Sequence, residues 1–255
     1  MNGNYETINI NLQTFLGMLT EISRGTITSA RGTGDSKVDL IPVDFVCNTL
    51  ITAAWANSFT RTSSIPVYNC TSGQVNPLTW QELADGIMKN ARKYPSKYIM
   101  MYPKYTYRTN VNVHFVYEIL MHFFPAIIFD IFLLLQRKKP FMFKLAKRVK
   151  VTADIGCYFA LRDWNFEAGN VQRIIRAARE TQLDAHEFNC DVASLDWDEY
   201  LEKYSIGIRT FILKDDLESL PSCRSKLKKI IWTRRIARLL LFAVAYYFIS
   251  CIFWR

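Results

Sequence analysis

The sequence predicts an α/β segment followed by a mostly α-helical domain that closes in a hydrophobic tail helix. Three observations carry this. Short apolar runs alternate with helix-like stretches between Val38 and Lys93. Trp197, Leu201, Tyr204, Ile208 and Phe211 recur at steps of four, three, four and three, which paints one apolar stripe on a helix. Leu239–Trp254 then runs uncharged behind a basic stretch from Arg224 to Arg238. Asp196, with Glu199 three residues on, fits the start of the striped helix, where acidic groups suit the dipole.

The earlier elements follow in order. Asn11–Ser29 mixes apolar residues with turn formers and reads as a loop and a short helix ending at Gly25. Val38–Val43 is strand-like, and Asp44 fits the cap of a helix whose apolar face uses Val46, Leu50, Ala53 and Ala54. Ser58–Ser64 is a polar loop, and Ile65–Cys70 a second β-type run. Thr79 and Glu82 form a capping box for the helix that begins at Trp80. Such alternation is typical of α/β domains. Tyr94–Lys104, rich in proline and aromatics, reads as a connection.

Val111–Leu135 is strongly apolar but holds His114, Glu118, His122 and Asp130, and Pro125 splits it. Its uninterrupted part is shorter than the roughly 20 residues a bilayer needs. The expectation is a hairpin or interfacial pair of helices, lying on a membrane or covering an apolar tunnel, with a buried helical hairpin as the alternative. Phe141–Lys150 is basic and amphipathic. Val171–Thr181 reads as a helix with Arg173, Arg176 and Arg179 on its polar side, a solvated face or a contact for phosphates. The uncharged tail is slightly short for a span, but Arg238 and Arg255 could snorkel. It reads as a C-terminal anchor with the bulk facing the cytosol, or as a buried core helix.

Composition narrows the function classes. Half the chain is hydrophobic, so it is not disordered. The net charge of +9 comes from 32 Lys and Arg against 23 Asp and Glu. The basic clusters at Arg137–Lys150 and Arg224–Arg238 each flank an apolar run, which favours a membrane surface over nucleic acid. No nucleic-acid motif is present. The six cysteines, Cys47, Cys70, Cys157, Cys190, Cys223 and Cys251, contain no C-x-x-C pair, and His114, His122 and His186 make no ligand cluster, so no metal site is expected and the thiols read as reduced and cytosol-facing. Met1–Asn11 lacks the pattern of a signal peptide, so the Asn69-Cys70-Thr71 sequon is expected to be silent.

Several of these stretches together resemble the alcohol-forming fatty acyl-CoA reductases, of the extended short-chain dehydrogenase/reductase superfamily. They are Asp39–Trp55, Ile65–Gly73 and Leu78–Leu83, then His122–Leu135 with Lys139-Pro140, Trp164-Asn165-Phe166, Asp196–Tyr200, Gly207-Ile208-Arg209, Leu213–Asp216 and the Leu220-Pro221 turn. Gly17, Arg24 and Gly25 also fit, whereas Thr14-Phe15 stands where that family usually has Gly-Pro. The likeness runs from about Asn11 to the C-terminus and is to the C-terminal half only. It implies that residues 1–93 are an incomplete, Rossmann-like part of the NAD(P)-binding reductase domain, 94–110 a linker, 111–222 the helical reductase C-terminal domain, and 223–255 a basic collar with a membrane helix at about 239–254.

The implied activity is NADPH-dependent reduction of long-chain acyl-CoA to fatty alcohol, on the endoplasmic reticulum or peroxisome membrane. That chemistry requires a glycine-rich turn for the pyrophosphate and a Tyr and Lys four apart. Neither pattern occurs in the 255 residues. No catalytic, cofactor-binding or metal residue is therefore assigned, and the isolated chain, read as a fragment or truncated product, is expected to be inactive. Its expected share is the far wall of the acyl-CoA site, from Asn11–Gly25 and Leu40–Trp55. The alternative is a non-catalytic membrane adaptor or acyl-CoA-binding protein derived from the same half.

Overall fold

A computed structural model describes residues 15–59, 64–181 and 187–253, and these are mostly helical. The elements are α1 (Phe15–Arg24), β1 (Ser29–Arg31), β2 (Lys37–Val38), α2 (Val43–Phe59), β3 (Leu78–Thr79), α3 (Trp80–Lys93), β4 (Thr106–Arg108), α4 (Val111–Glu118), α5 (Phe124–Leu135), α6 (Met142–Ala160), α7 (Gly169–Glu180), α8 (Trp197–Gly207) and α9 (Leu220–Phe253). β1 pairs in parallel with β4, and β2 antiparallel with β3. The α/β expectation is thus met only by two short ladders; a larger parallel sheet is not found among the described residues. β4 lies inside the stretch expected to be a plain connection.

Where the sequence held a strong local signal, the structure follows it. α1 ends at Gly25, whose φ is +79°, and a Cβ there would lie 2.4 Å from the Met101 carbonyl oxygen, so only glycine fits. Thr79 and Glu82 close a reciprocal capping box on α3. Asp196 caps α8 by accepting from the Glu199 N–H at 3.1 Å.

Four expectations are corrected. Ile65–Cys70 forms no strand, because its polar groups bond elsewhere: Asn170 Nδ2 donates to the Val67 carbonyl, and Asn69 Nδ2 to that of Glu167. Asp44 sits in the first turn of α2 rather than capping it, and the buried face is Thr49, Thr52 and Ala53 while Leu50 and Ala54 are exposed. That face meets α7 and the loop at Cys190, where Asn48 Nδ2 donates to the Asn189 carbonyl at 2.9 Å. The apolar stripe of α8 breaks at its end: Ile208–Ile212 is a π turn, which rotates Phe211 out to 71 % exposure.

The fourth correction concerns Val111–Leu135, which is neither a hairpin nor a pair of helices. A π turn at Ile119–Phe123 joins α4 to α5 and makes one 25-residue helix. Pro125 has no N–H and would crowd the carbonyl four residues back; placed just after a widened turn, at the start of α5, it is accommodated. This helix is long and apolar enough to cross a membrane. The collar and tail form a single helix of 34 residues, α9, with Leu239, Leu240, Phe242, Tyr246 and Tyr247 exposed; Trp254 and Arg255 lie outside the described residues.

One core ties early and late segments together. Ile22, Leu83 and Ile87 pack in the same cluster as Val149, Ala160, Leu201, Ile208 and Leu213.

Candidate functional site

A cavity of about 490 Å³ lies where α1, β1, β2 and β4 meet α6. That size suits a small organic ligand, for which pockets hold about 300–1,000 Å³. Phe15 and Met18 come from α1, Val38 from β2, Trp80 from the start of α3, and Tyr105 and Tyr107 from the strand region of β4. The opposite wall is α6, from Thr152 to Ala160, continued by Trp164 and Phe166.

Local interactions hold these walls in place. The Thr33 N–H donates to the Ala160 carbonyl at 2.8 Å, tying the end of α6 to the β1–β2 turn. Gly32 permits this approach, since a Cβ there would lie 2.9 Å from Cβ of Ala160 and 2.8 Å from the Tyr107 ring. The Lys37 N–H donates to Asp163 Oδ1 at 3.0 Å. Trp164 and Phe166 stack with their planes 8° apart. Ile155, Phe159 and Phe166 are lining residues that are also exposed, so one rim is apolar and open.

The polar groups at the site are few and mostly engaged. Asp39 accepts from the Ser72 N–H at 2.7 Å and from the Thr71 and Ser72 hydroxyls, so its carboxylate is a brace. Lys37 Nζ donates to the Gly73 carbonyl at 3.1 Å. Burial raises the Tyr105 phenol well above its usual range and pushes Tyr107 up to about 12. A tyrosine that serves as a proton donor at neutral pH is tuned the other way, so these phenols act as walls. Burial likewise raises the Cys157 thiol. Four buried donors on the lining residues have no hydrogen-bond partner among the described residues: Arg31 Nε, Trp80 Nε1, Tyr105 Oη and Trp164 Nε1. Each is closed off from solvent and carries the cost of an unmade hydrogen bond. The arrangement can hold an apolar group.

The N-termini of α3, α6 and α8 leave no place for a nicotinamide dinucleotide. Its pyrophosphate needs a helix N-terminus with free N–H groups. α3 and α8 start with their own carboxylates, and the α6 N-terminus is filled by Asp130, which accepts from the Phe141, Met142 and Phe143 N–H groups at 2.9 Å each. Among the described residues no group of acidic, His and Cys side chains is placed to hold a metal ion.

The sequence-derived expectations are partly brought together here. Trp164 and Phe166 reach the cavity, as does α1 through Phe15 and Met18. From Leu40–Trp55 only Leu40 does; α2 packs on α7 instead. Arg173, Arg176 and Arg179 are exposed and line neither described cavity, and Arg179 pairs with Asp191 at 2.6 Å. His122 is at a smaller cavity of about 160 Å³ with Met100, Met101 and Met142. His186 lies outside the described residues. Sequence reasoning did not single out Arg31, Tyr105 or Tyr107 for the cavity; a parallel β1–β4 pairing across some 75 residues has no local signal.

Residues 121–215, which include the α6 wall, match the male sterility protein family. The chain is 31 % identical over 231 residues to fatty acyl-CoA reductase 2 of Bos taurus, covering 90 % of this chain and 44 % of that protein. It is homologous to the C-terminal region of the fatty acyl-CoA reductases. Fatty acyl-CoA reductase 1 of Rattus norvegicus is 31 % identical over 215 residues, with 84 % of this chain and 41 % of that protein covered. Human fatty acyl-CoA reductase 2 is 29 % identical over 230 residues, covering 90 % and 44 %. The chain therefore spans less than half the length of these reductases.

Proposed function

We propose that this chain is the acyl-holding, membrane-attached part of an NADPH-dependent reduction of long-chain acyl-CoA to fatty alcohol. The observation that carries this is the apolar cavity walled by α6 and by the aromatic residues opposite it. Each methylene transferred from water into such a wall is worth about 0.8 kcal/mol, so a long alkyl chain is held by burial alone. No residue of the chain is assigned to hydride transfer or to NADPH, in keeping with the missing Tyr-x-x-x-Lys and glycine-rich turn. The proposed organisation is an incomplete reductase domain at 1–93, a linker at 94–110, a helical domain at 111–222, and a basic collar with the anchor at 223–255. The proposed location is the endoplasmic reticulum or peroxisome membrane, anchored through the C-terminal half of α9, with the basic collar and the bulk on the cytosolic side.

The test uses palmitoyl-CoA. The chain in membranes should bind it and, with NADPH, yield no fatty alcohol, whereas a longer chain carrying the catalytic motifs should yield it. Gly156 lines the cavity, and a Cβ there meets open space. Gly156→Phe should therefore weaken palmitoyl-CoA binding while leaving stability unchanged or raised, because glycine in a helix interior costs about 1 kcal/mol. Fatty alcohol from the chain alone, or unchanged binding by Gly156→Phe, would refute the proposal. The same apolar cavity would serve a second reading, an acyl-CoA-binding adaptor, which predicts binding without turnover even when the catalytic half is present.

A further inference from the structure

The 25-residue helix of α4, its π turn and α5 could span a bilayer by length, at about 37 Å against a core of about 30 Å. Its contacts say otherwise. His114, Glu118, His122 and Asp130 share the side that faces the protein, because the wider π turn at Ile119–Phe123 offsets the drift that steps of four make on an α-helix. That side is fastened to the protein along its length. Lys150 Nζ donates to Glu118 Oε2 at 3.0 Å. The His122 ring meets Thr28 Oγ1 at 2.9 Å. Asp130 holds the N-terminus of α6, and His114 is 8 % exposed.

The opposite side is apolar and uncovered: Phe115, Leu120, Phe124, Ile128, Ile131 and Leu135 are all exposed. Only 11 % of the apolar window is buried, so this is not the core helix of a soluble body. The usual amphipathic order is inverted, with polar residues inward and grease outward. Just beyond Leu135 stand the exposed cations Arg137, Lys138 and Lys139, with Lys144, Lys147 and Arg148 following on α6.

We propose that this helix lies flat in the membrane interface, with its outer side among the acyl chains and the neighbouring cations at anionic headgroups. A transverse orientation would drag Lys150 and the start of α6 into hydrocarbon, where a charge is costly. An in-plane seat needs no such transfer, and each nearby Lys or Arg adds about 1 kcal/mol on an anionic surface. The inference rests on the membrane reading above but concerns a contact separate from the α9 tail.

The experiment incorporates the full chain into phosphatidylcholine–phosphatidylserine vesicles holding a photoreactive lipid, with the diazirine either near the carbonyl or at the chain end. Adducts are mapped by peptide mass spectrometry. The expected result is shallow-probe labelling along the whole of Val111–Leu135, lost in the Phe124→Glu/Ile131→Glu double variant while tail labelling persists. Deep-probe labelling at the helix centre, with shallow labelling only at its ends, would mean a span and overturn the proposal. Labelling confined to residues 239–253 would mean that protein covers the outer side, and would also overturn it while leaving the anchor standing. Labelling of Val111–Leu135 without the tail would support the in-plane helix and refute the anchor. Labelling of neither would refute both.

Discussion

Arg209 is 2 % exposed, yet its guanidinium is fully employed. It donates to the carbonyls of Pro95 at 2.9 Å, Asp215 at 3.2 Å and Asp216 at 2.9 Å, and to the Ser219 hydroxyl at 2.6 Å, with Asp215 Oδ2 3.3 Å away. Asp215 in turn accepts from the Lys97 N–H at 2.8 Å and from Ser219. One side chain thus joins the end of α8, the segment after α3 and the entry to α9. Arg209→Ala should cost about 3–5 kcal/mol in denaturant unfolding, because it strands a buried carboxylate and several carbonyls. Arg209→Lys should fall between, since an ammonium keeps the charge but not the planar fork. If the alanine variant lost under about 1 kcal/mol, the network would be ornamental. Gly25→Ala belongs at the same scale: strained φ and the Met101 carbonyl should cost about 1–3 kcal/mol, read as a lowered midpoint at an unchanged slope. Resemblance drew the eye to Gly25 and Arg209, but their jobs depend on partners some 75 to 114 residues away in sequence.

The elements that could be read from sequence are those whose signals are local. The box at Thr79 and Glu82 and the cap at Asp196 involve atoms within three residues, and both appear as expected. Both π turns escaped the reading, because a pattern of fours and threes assumes unbroken α geometry and a proline inside an apolar run reads as a break. One turned Phe211 outward, and the other carried a helix past Pro125. Likewise, Ile65–Cys70 has strand-forming residues but no strand to pair with. The crossing of α3 and α8 shows what the sequence could not supply. A Cβ at Gly86 would lie 2.5 Å from Leu201 Cδ1, so the glycine is the hole into which Leu201 fits. Leu201→Ala should cost about 2–5 kcal/mol. Gly86→Ala alone should also destabilise, but in the double variant the two penalties should fall short of their sum. Additive losses in that cycle would show that the residues do not share the contact.

At the scale of the whole molecule, the order of segments along the chain hides how they are assembled. Composition and patterning reveal an α/β-like beginning, a helical continuation and a greasy end, which invites a picture of separate parts. The packing joins those parts through a shared core. Ile22, Leu83 and Ile87 from the first part share a cluster with Val149, Ala160, Leu201 and Ile208 from the second, and the walls of the cavity come from both. Asn76 Nδ2 donates to the Val192 and Leu195 carbonyls, and the Trp197 indole donates back to Asn76 Oδ1 at 3.1 Å, so polar bonds cross the same junction. Residues 15–110 expressed alone would leave one side of that core in water. They should show no cooperative thermal transition and should expose apolar surface to a reporter dye, because a helix face without its partner is not stable by propensity alone. Adding residues 111–222 as a second chain should restore a single transition and, with it, palmitoyl-CoA binding. The full chain should likewise unfold in one step by both circular dichroism and tryptophan fluorescence. Two resolved transitions, or a stably folded 15–110 segment, would mean that the first part keeps a core of its own and that the shared cluster is an interface between independent domains.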